Sequence, residues 1–329
     1  MDPLSDVLSL LKPQAHVSSG FDAGGAWAVQ FGDQHKMIKC YAVVSGGCWL
    51  SVEGVDDPVW LGGGDCFVLP TGRPFRLGSN LDGPAVPAAD IFPPARRGGV
   101  VTIGDGDGLS LVGSRFGVSG SQAEMLLSFL PPIIHIREQP AQEALRWCVK
   151  QMMYELRNGE PGNALAVRHL AHLMLVQALR VPLSAADGDR RGWFFALADR
   201  QLGAALMAIH DDPARPWTLQ ALGAIAGMSR STFAVRFKEQ LGQPAMHYLA
   251  RWRMLLACER LEQTNDPVAA VATSLGYESE SAFSTAFKRL IGCAPRQFGR
   301  AAKEEHPSPP QRSPFLSPIG SMPADQTAM

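Results

Sequence analysis

One pattern occurs twice in the last third of the chain, and it restricts the fold of that region more than any other feature. The first copy runs from Leu219 to Phe237 and the second from Val268 to Phe287. Each reads as a short apolar helix, a turn opened by Gly227 or Gly276, and a second helix with Phe at i and i+4. The pairs are Phe233 with Phe237 and Phe283 with Phe287. Helical hairpins of this kind lay their second helix in the major groove of DNA. Packing alone would account for paired phenylalanines. It does not account for two matched copies with the glycine turn in the same place. Sequence-specific binding of double-stranded DNA is therefore the leading expectation.

Charge supports it. The chain of 329 residues has a net charge of -1, but residues 191–303 hold 14 Lys and Arg against 9 Asp and Glu. The basic excess lies over the tandem pattern, where a phosphate-binding surface needs it. Hydrophobic residues at 46% and charged residues at 19% describe an ordinary soluble protein. No apolar run approaches the roughly 20 residues of a membrane span. The first residues lack the basic and apolar regions of a signal peptide, so a cytoplasmic location is expected.

Helical spacing separates buried from reading positions. In the first copy Phe233, Phe237 and Leu241 share a face and should pack on Leu219, Leu222 and Ile225. The opposite face holds Ser231, Val235 and Lys238, flanked by Ala234. Arg230 and Thr232 lie in the first turn, where bases or phosphates are reached. Arg236 falls toward the core-facing edge, as a packing or phosphate residue. In the second copy Phe283, Phe287 and Leu290 are the apolar set. Ser281 and Thr285 point away from them, with Ala282, Lys288 and Arg289 at the sides. Glu280 could accept from a cytosine amine or stabilise its helix N-terminus. Ala245 to Gln263, with Met246, Leu249, Trp252, Leu255 and Leu256, reads as one rigid helix joining the two modules. It would set both reading helices against major-groove segments about 34 Å apart.

The first 135 residues read differently. Leu4, Val7, Leu8 and Leu11 suit a short amphipathic helix. Met37 to Val44 and Cys48 to Val52 read as strands joined at Ser45-Gly46-Gly47. Val59 to Leu61 and Cys66 to Leu69 read as another pair, joined by Gly62-Gly63-Gly64-Asp65. Many short strands with turns between them predict a small barrel or sandwich, and 81–99 reads as a long loop. Helices are expected over 141–156, 165–181 and 199–210, with a linker over 184–190. Leu165, Leu170, Leu173 and Leu179 could pair two subunits into a homodimer, or pack within one.

Beyond these periodicities, the C-terminal third resembles the AraC/XylS family of transcriptional regulators. The carrying residues are Gly227-Met-Ser-Arg-Ser-Thr-Phe233, Tyr248-Leu-Ala-Arg-Trp-Arg-Met254, Gly276-Tyr-Glu-Ser-Glu-Ser-Ala-Phe283 and Gly292-Cys-Ala-Pro-Arg-Gln-Phe298. Gly64-Asp-Cys-Phe-Val-Leu-Pro-Thr-Gly-Arg-Pro-Phe75 is similar to the cupin-type ligand domain of one branch of that family. The resemblance implies a small-molecule effector in the barrel, and contact with RNA polymerase at promoters. Tyr41, Trp49, Phe67 and Phe75 are the candidates to line the effector site, with core packing as their alternative. Relatives often carry Arg where this chain has Val235 and Thr285. Loss of bidentate guanine contacts there implies a different, more AT-rich target.

Enzymatic readings find little support. A metal cupin usually needs three His and a Glu. Here Thr71 and Phe75 occupy places where relatives often have His, and only His16 and His35 precede His135. No metal, cofactor or catalytic residue is therefore assigned. His169 and His172 stand at i, i+3 without a third ligand. Gly104-Asp-Gly-Asp-Gly108 is a broken calcium-loop pattern better read as a turn. The six cysteines lack C-x-x-C spacing, and Cys40, Cys48 and Cys66 could act as thiol sensors only if activated.

The expected fold class is α+β. A cupin-like β-barrel sensing domain spans 1–135, a helical connector 136–190, an all-α tandem helix-turn-helix domain 191–303 and a disordered tail 304–329. The main reading is an effector-modulated transcriptional regulator. The alternatives are a metal-dependent cupin enzyme fused to a DNA-binding module, and a constitutive DNA-binding protein whose barrel is a dimerisation scaffold.

Overall fold

A computed structural model describes residues 2–34, 37–92, 99–118, 127, 130–137, 143–184 and 192–305. The amphipathic N-terminus forms helix α1 (Pro3–Leu11). Asp2 caps it by accepting from the Ser5 amide at 3.0 Å. Its apolar stripe of Leu4, Val7, Leu10 and Leu11 is fully buried.

The strands are β1 (Gln14–Ala23), β2 (Ala28–Phe31), β3 (Met37–Val52), β4 (Val59–Gly62), β5 (Cys66–Leu69), β6 (Phe75–Gly78), β7 (Val86–Pro87), β8 (Val100–Ile103), β9 (Leu109–Gly117) and β10 (Ile134–Ile136). They curl into a half-barrel with the path β7-β2-β6-β3-β9-β1-β8; β4 and β5 also pair with β3, and β10 pairs with β5. Strand β3 is the hinge of the curl. Its first half pairs with β5 and β9, and its second half with β4 and β6.

Two expected hairpins are therefore corrected. Ser45-Gly46-Gly47 does not reverse the chain; it is a bend inside one 16-residue strand, with a register shift between Val43 and Ser45. Gly46 has φ +75°, and a Cβ there would fall 1.9 Å from the Gly108 carbonyl oxygen, so only glycine fits. Likewise the turn at 62–65 does not pair β4 with β5, because each pairs with a different half of β3. The region expected as a loop over 81–99 holds β7 and a one-turn helix α2 (Ala88–Ile91).

Each face of the half-barrel has its own apolar core. Inside lie Phe21, Tyr41, Val43, Leu50, Phe67 and Phe75 among others. Outside, Ile38, Cys40, Val68, Val112 and Phe116 meet α1, α3 (Glu143–Asn158) and α4 (Asn163–Ser184). His172 on α4 is part of this packing rather than an open surface residue. Its Nε2 lies 2.8 Å from the Pro13 carbonyl oxygen, and its ring meets Phe116 edge-on at 5.4 Å. Of the proposed pairing leucines, Leu170 and Leu179 are buried, whereas Leu165 and Leu173 are exposed.

The helical part comprises α5 (Trp193–Ala198), α6 (Arg200–Asp211), α7 (Leu219–Ile225), α8 (Arg230–Leu241), α9 (Ala245–Gln263), α10 (Val268–Ser274), α11 (Glu280–Ile291) and α12 (Pro295–Glu305). The outer core of the sheet continues without a break through Trp193, Leu206, Leu222, Phe233, Phe237 and Leu255. A separate cluster holds the second module: Met254, Ala257, Leu261, Val271, Phe283 and Phe287. Helix α9 thus serves both cores along a length of about 28 Å. Helix α12 extends through Glu304 and Glu305, two residues past the expected start of the tail. The proposed linker (apart from Ser184, which ends α4) and the rest of the tail lie outside the described residues. Among the described residues no helix is long and apolar enough to cross a membrane.

Candidate nucleic-acid interface and barrel cavity

The two modules share their local chemistry. Ser229 caps α8 by accepting from the Thr232 amide at 3.2 Å, and Ser279 caps α11 by accepting from Ala282 at 3.1 Å. Left-handed glycines, Gly242 and Gly292, end the two helices. The interhelix turns use Gly227 at φ +64° and Gly276 at φ +77°. A Cβ at Gly276 would lie 2.0 Å from the Ala214 carbonyl oxygen, so this turn is also docked against the segment leading into the first module.

Burial divides α8 and α11 each into two faces. Phe233, Phe237, Phe283 and Phe287 are wholly buried. Arg230, Ser231, Thr232, Val235, Lys238, Ser281, Ala282, Thr285, Lys288 and Arg289 are exposed, and Ala234 and Glu280 are half-buried. Val235, the most apolar of them, is 57% exposed. Thr285 donates its hydroxyl to the Ser281 carbonyl at 3.0 Å, which leaves the methyl as its unengaged group. Two expected packing residues are corrected: Ile225 and Met246 are exposed. Ile225 stands at the last position of α7, past the part that Phe233 and Phe237 cover.

Charges near the interface are sorted by their partners. Arg236 pairs with Asp199 and donates to the Gln201 side-chain oxygen at 2.8 Å, so it is a packing residue. Arg253 donates to the carbonyl oxygens of Pro213 at 2.7 Å and Arg215 at 2.9 Å, fixing the lead-in segment on α9. Glu280 accepts from Arg296 of α12 at 3.0 Å. Its charge is thereby partly matched by a cation, a role apart from both the cytosine contact and the helix-end stabilisation. Arg296 is 16 residues away, beyond any single-helix spacing, so the pair is visible only in three dimensions.

The barrel interior holds a cavity of about 560 Å³. Tyr41, Phe21, Phe31, Phe92, Leu77 and Leu111 form its apolar wall, and Ser19, Gln30, Gln34 and Arg115 are its polar points. Of the four expected effector residues only Tyr41 lines it. Phe67 stacks behind Tyr41 at 5.0 Å, and Phe75 behind Phe31 at 4.3 Å. Trp49 is on the outer surface against Trp60. The cause is the irregularity between Val43 and Ser45. It switches the inward set of β3 from Tyr41 and Val43 to Cys48, Leu50 and Val52.

Lys39 is the least expected inward residue. It is fully buried, its Nζ has no hydrogen-bond partner among the described residues, and it lies 4.8 Å from the Phe31 ring centre and 4.4 Å from that of Phe75. Burial, with the Arg115 charge second, holds its pKa down to about 7. Two barrel thiols, Cys40 and Cys48, are held toward their protonated form. A hydrogen bond with Cys66 (Sγ to Sγ 4.0 Å) and burial push Cys40 up, and burial pushes Cys48 to about 12. Neither favours the thiolate a sensor needs. His135 lies 3.1 Å from Asp65, and among the described residues no group of three or more His, Cys, Asp or Glu could hold a metal ion.

Comparison with known proteins bears on both regions. A cupin family model matches residues 2–184, and a helix-turn-helix domain family model matches residues 222–301. An AraC-like transcription regulator of Streptomyces lividans is 41% identical over 311 residues, covering 94% of this chain and 100% of that protein. One from Streptomyces antibioticus is 40% identical over 310 residues, with coverage of 94% and 100%. The HTH-type transcriptional regulator AlkR of Acinetobacter baylyi is 26% identical over 281 residues, covering 83% of this chain and 91% of its own.

Proposed function

The chain belongs to the AraC-like transcription regulators, and on that premise we propose how its parts divide the work. The chain is a DNA-binding transcription regulator. Residues 191–303 read the duplex, residues 1–135 sense an effector, and 136–190 connect them. Arg230, Ser231, Thr232, Ala234, Val235 and Lys238 meet one major-groove segment. Glu280, Ser281, Ala282, Thr285, Lys288 and Arg289 meet the next. One observation carries this assignment: two capped helices of identical length bury the same Phe pair and leave the same opposite face uncovered.

The sensing half acts through α1. This helix shares one apolar core with Ile38 and Val68 of the sheet and with Trp193 and Phe194 of α5, and these four residues and Leu4, Val7, Leu8 and Leu11 line a common small gap. A ligand in the cavity bears on β3 and β9, whose outward residues pack in the same core as α1. It shifts DNA affinity by the difference in its own affinity for the two arrangements. Leu165 and Leu173, with the exposed Trp147 and Tyr154, form the face for a second copy. RNA polymerase is the expected partner at the promoter, and the setting is the cytoplasm. Relatives that are transcription regulators support a role as a regulator rather than as an enzyme.

The test is full-length protein on a site selected from random duplexes. Arg230→Ala and Lys288→Ala should each weaken binding and lower the salt slope by about 0.9 for every phosphate no longer neutralised. Unchanged affinity and slope in both variants would remove the assigned contact face.

A further inference from the structure

We propose that the barrel cavity is built for a small organic acid, its carboxylate on Arg115 and its aryl or alkyl body among Phe21, Phe31, Phe92 and Leu77. This rests on the reading of the barrel as an effector site, and names the chemical class that site takes.

The sheet register makes the case. Lys39 on β3 and Arg115 on β9 are direct cross-strand partners, so both side chains leave the sheet on its inner face. Like charges placed directly opposite one another destabilise a sheet. Here the two cations also sit inside a barrel. Arg115 lines the cavity; its backbone belongs to the ladder with β1 and β3, and among the described residues its guanidinium has no hydrogen bond or ion pair. Lys39 stands one ring layer behind the wall, held only over the faces of Phe31 and Phe75. No Asp or Glu is among the described residues of the wall. Two buried or half-buried cations with no counter-ion among the described residues are costly, and an anion entering the cavity would relieve both. The lowered pKa of Lys39 has the same origin, since burial and Arg115 disfavour its charged form.

The rest of the wall selects the body of the ligand. A guanidinium matches a carboxylate with two parallel hydrogen bonds. One lining cation suits a single negative charge. The Gln30 amide nitrogen is already committed to the carbonyl oxygens of Phe31 and Phe75, both at 3.2 Å, so it adds little for a polyhydroxylated ligand. Gln34 offers a buried side-chain oxygen with no donor among the described residues, one place for a ligand hydroxyl or N–H. A volume of about 560 Å³ accommodates a ligand of drug size.

The experiment is calorimetric titration of the full chain with octanoate, 4-phenylbutanoate and 2-naphthoate, and with the primary amide of each. The expected result is that at least one acid binds about tenfold or more tightly than its own amide. Arg115→Gln should bring that acid to the level of its amide and leave the amide unchanged. Lys39→Met should raise the melting temperature of the ligand-free protein and weaken the acid. Amides that bind as tightly as acids, or an acid preference retained in Arg115→Gln, would overturn the acid assignment and leave the effector site standing. If no acid and no amide binds, both readings fall.

Discussion

His210 Nδ1 lies 3.1 Å from the carboxylate of Asp6, a residue 204 positions earlier, with the imidazole side chain fully enclosed. The same ring meets the Tyr248 hydroxyl through Nε2 at 2.8 Å, and that hydroxyl accepts from Trp193 Nε1 at 2.9 Å. A neutral imidazole carrying its proton on Nδ1 satisfies these partners. The chain of bonds ties α1, which packs on the sheet, to α5, α6 and α9 of the first reading module. Lys12, just past α1, adds an exposed ion pair to Glu259 of α9 at 3.3 Å.

Removing the carboxylate should loosen this joint. Asp6→Ala leaves the buried His210 Nδ1 without its acceptor, at a cost of about 1–3 kcal/mol. Urea unfolding of the two proteins measures it. Lys12→Ala, at an exposed pair, should be close to neutral.

Acid should act on the same joint. Burial, the largest influence, lowers the His210 pKa from 6.5 despite the opposing Asp6 carboxylate. The unfolded chain therefore binds a proton that the folded chain refuses between the lowered value and 6.5. Stability is complete above about pH 6.5 and falls as the pH drops through that window, with a limiting slope of about 1.4 kcal/mol per pH unit. Thermal unfolding at pH 7.5 and 5.5 should show a smaller acid loss in His210→Gln than in the parent protein.

The separation of the cores should show in local stability. Phe287 belongs to a cluster that excludes Phe233 and Phe237. Phe287→Ala should cost about 3–5 kcal/mol and open α10 to α12 while α6 to α8 keep their amide protection. Hydrogen exchange resolved by segment reads the outcome. Equal loss of protection in both modules would mean that α9 fuses them into one cooperative unit.

Much of this is readable in the sequence, for identifiable reasons. The tandem modules, α1 and the helices of the connector follow from spacing, caps and glycine turns, which are local. The exposed faces of α8 and α11 follow because burying two phenylalanines one helical turn apart fixes the opposite side. Strand β3 resists because its period-two signal is correct on each side of an irregularity that the sequence does not display. That slip places Trp49 outside. Asp6 with His210, Glu280 with Arg296 and Lys39 with Arg115 are equally hidden, since each pair joins elements distant in the chain. Lys39 in particular reads locally as an ordinary surface lysine.

Target choice should respond to a single residue. Val235 is exposed in the middle of the first reading face and cannot hydrogen-bond a base. Val235→Arg should add a preference for guanine of about 1–3 kcal/mol at the base pair it faces. Sites selected by the two proteins would differ at that position and little elsewhere.

On this reading α8 and α11 of one chain grip a single duplex at successive turns. Methylation-interference footprinting of the full-length protein on its selected site tests it most directly. Two protected major-groove segments on one face of the duplex, about 10 base pairs apart, are predicted. Lys288→Ala should weaken one segment and Arg230→Ala the other. A single protected segment, or one that fades equally in both variants, would contradict the account.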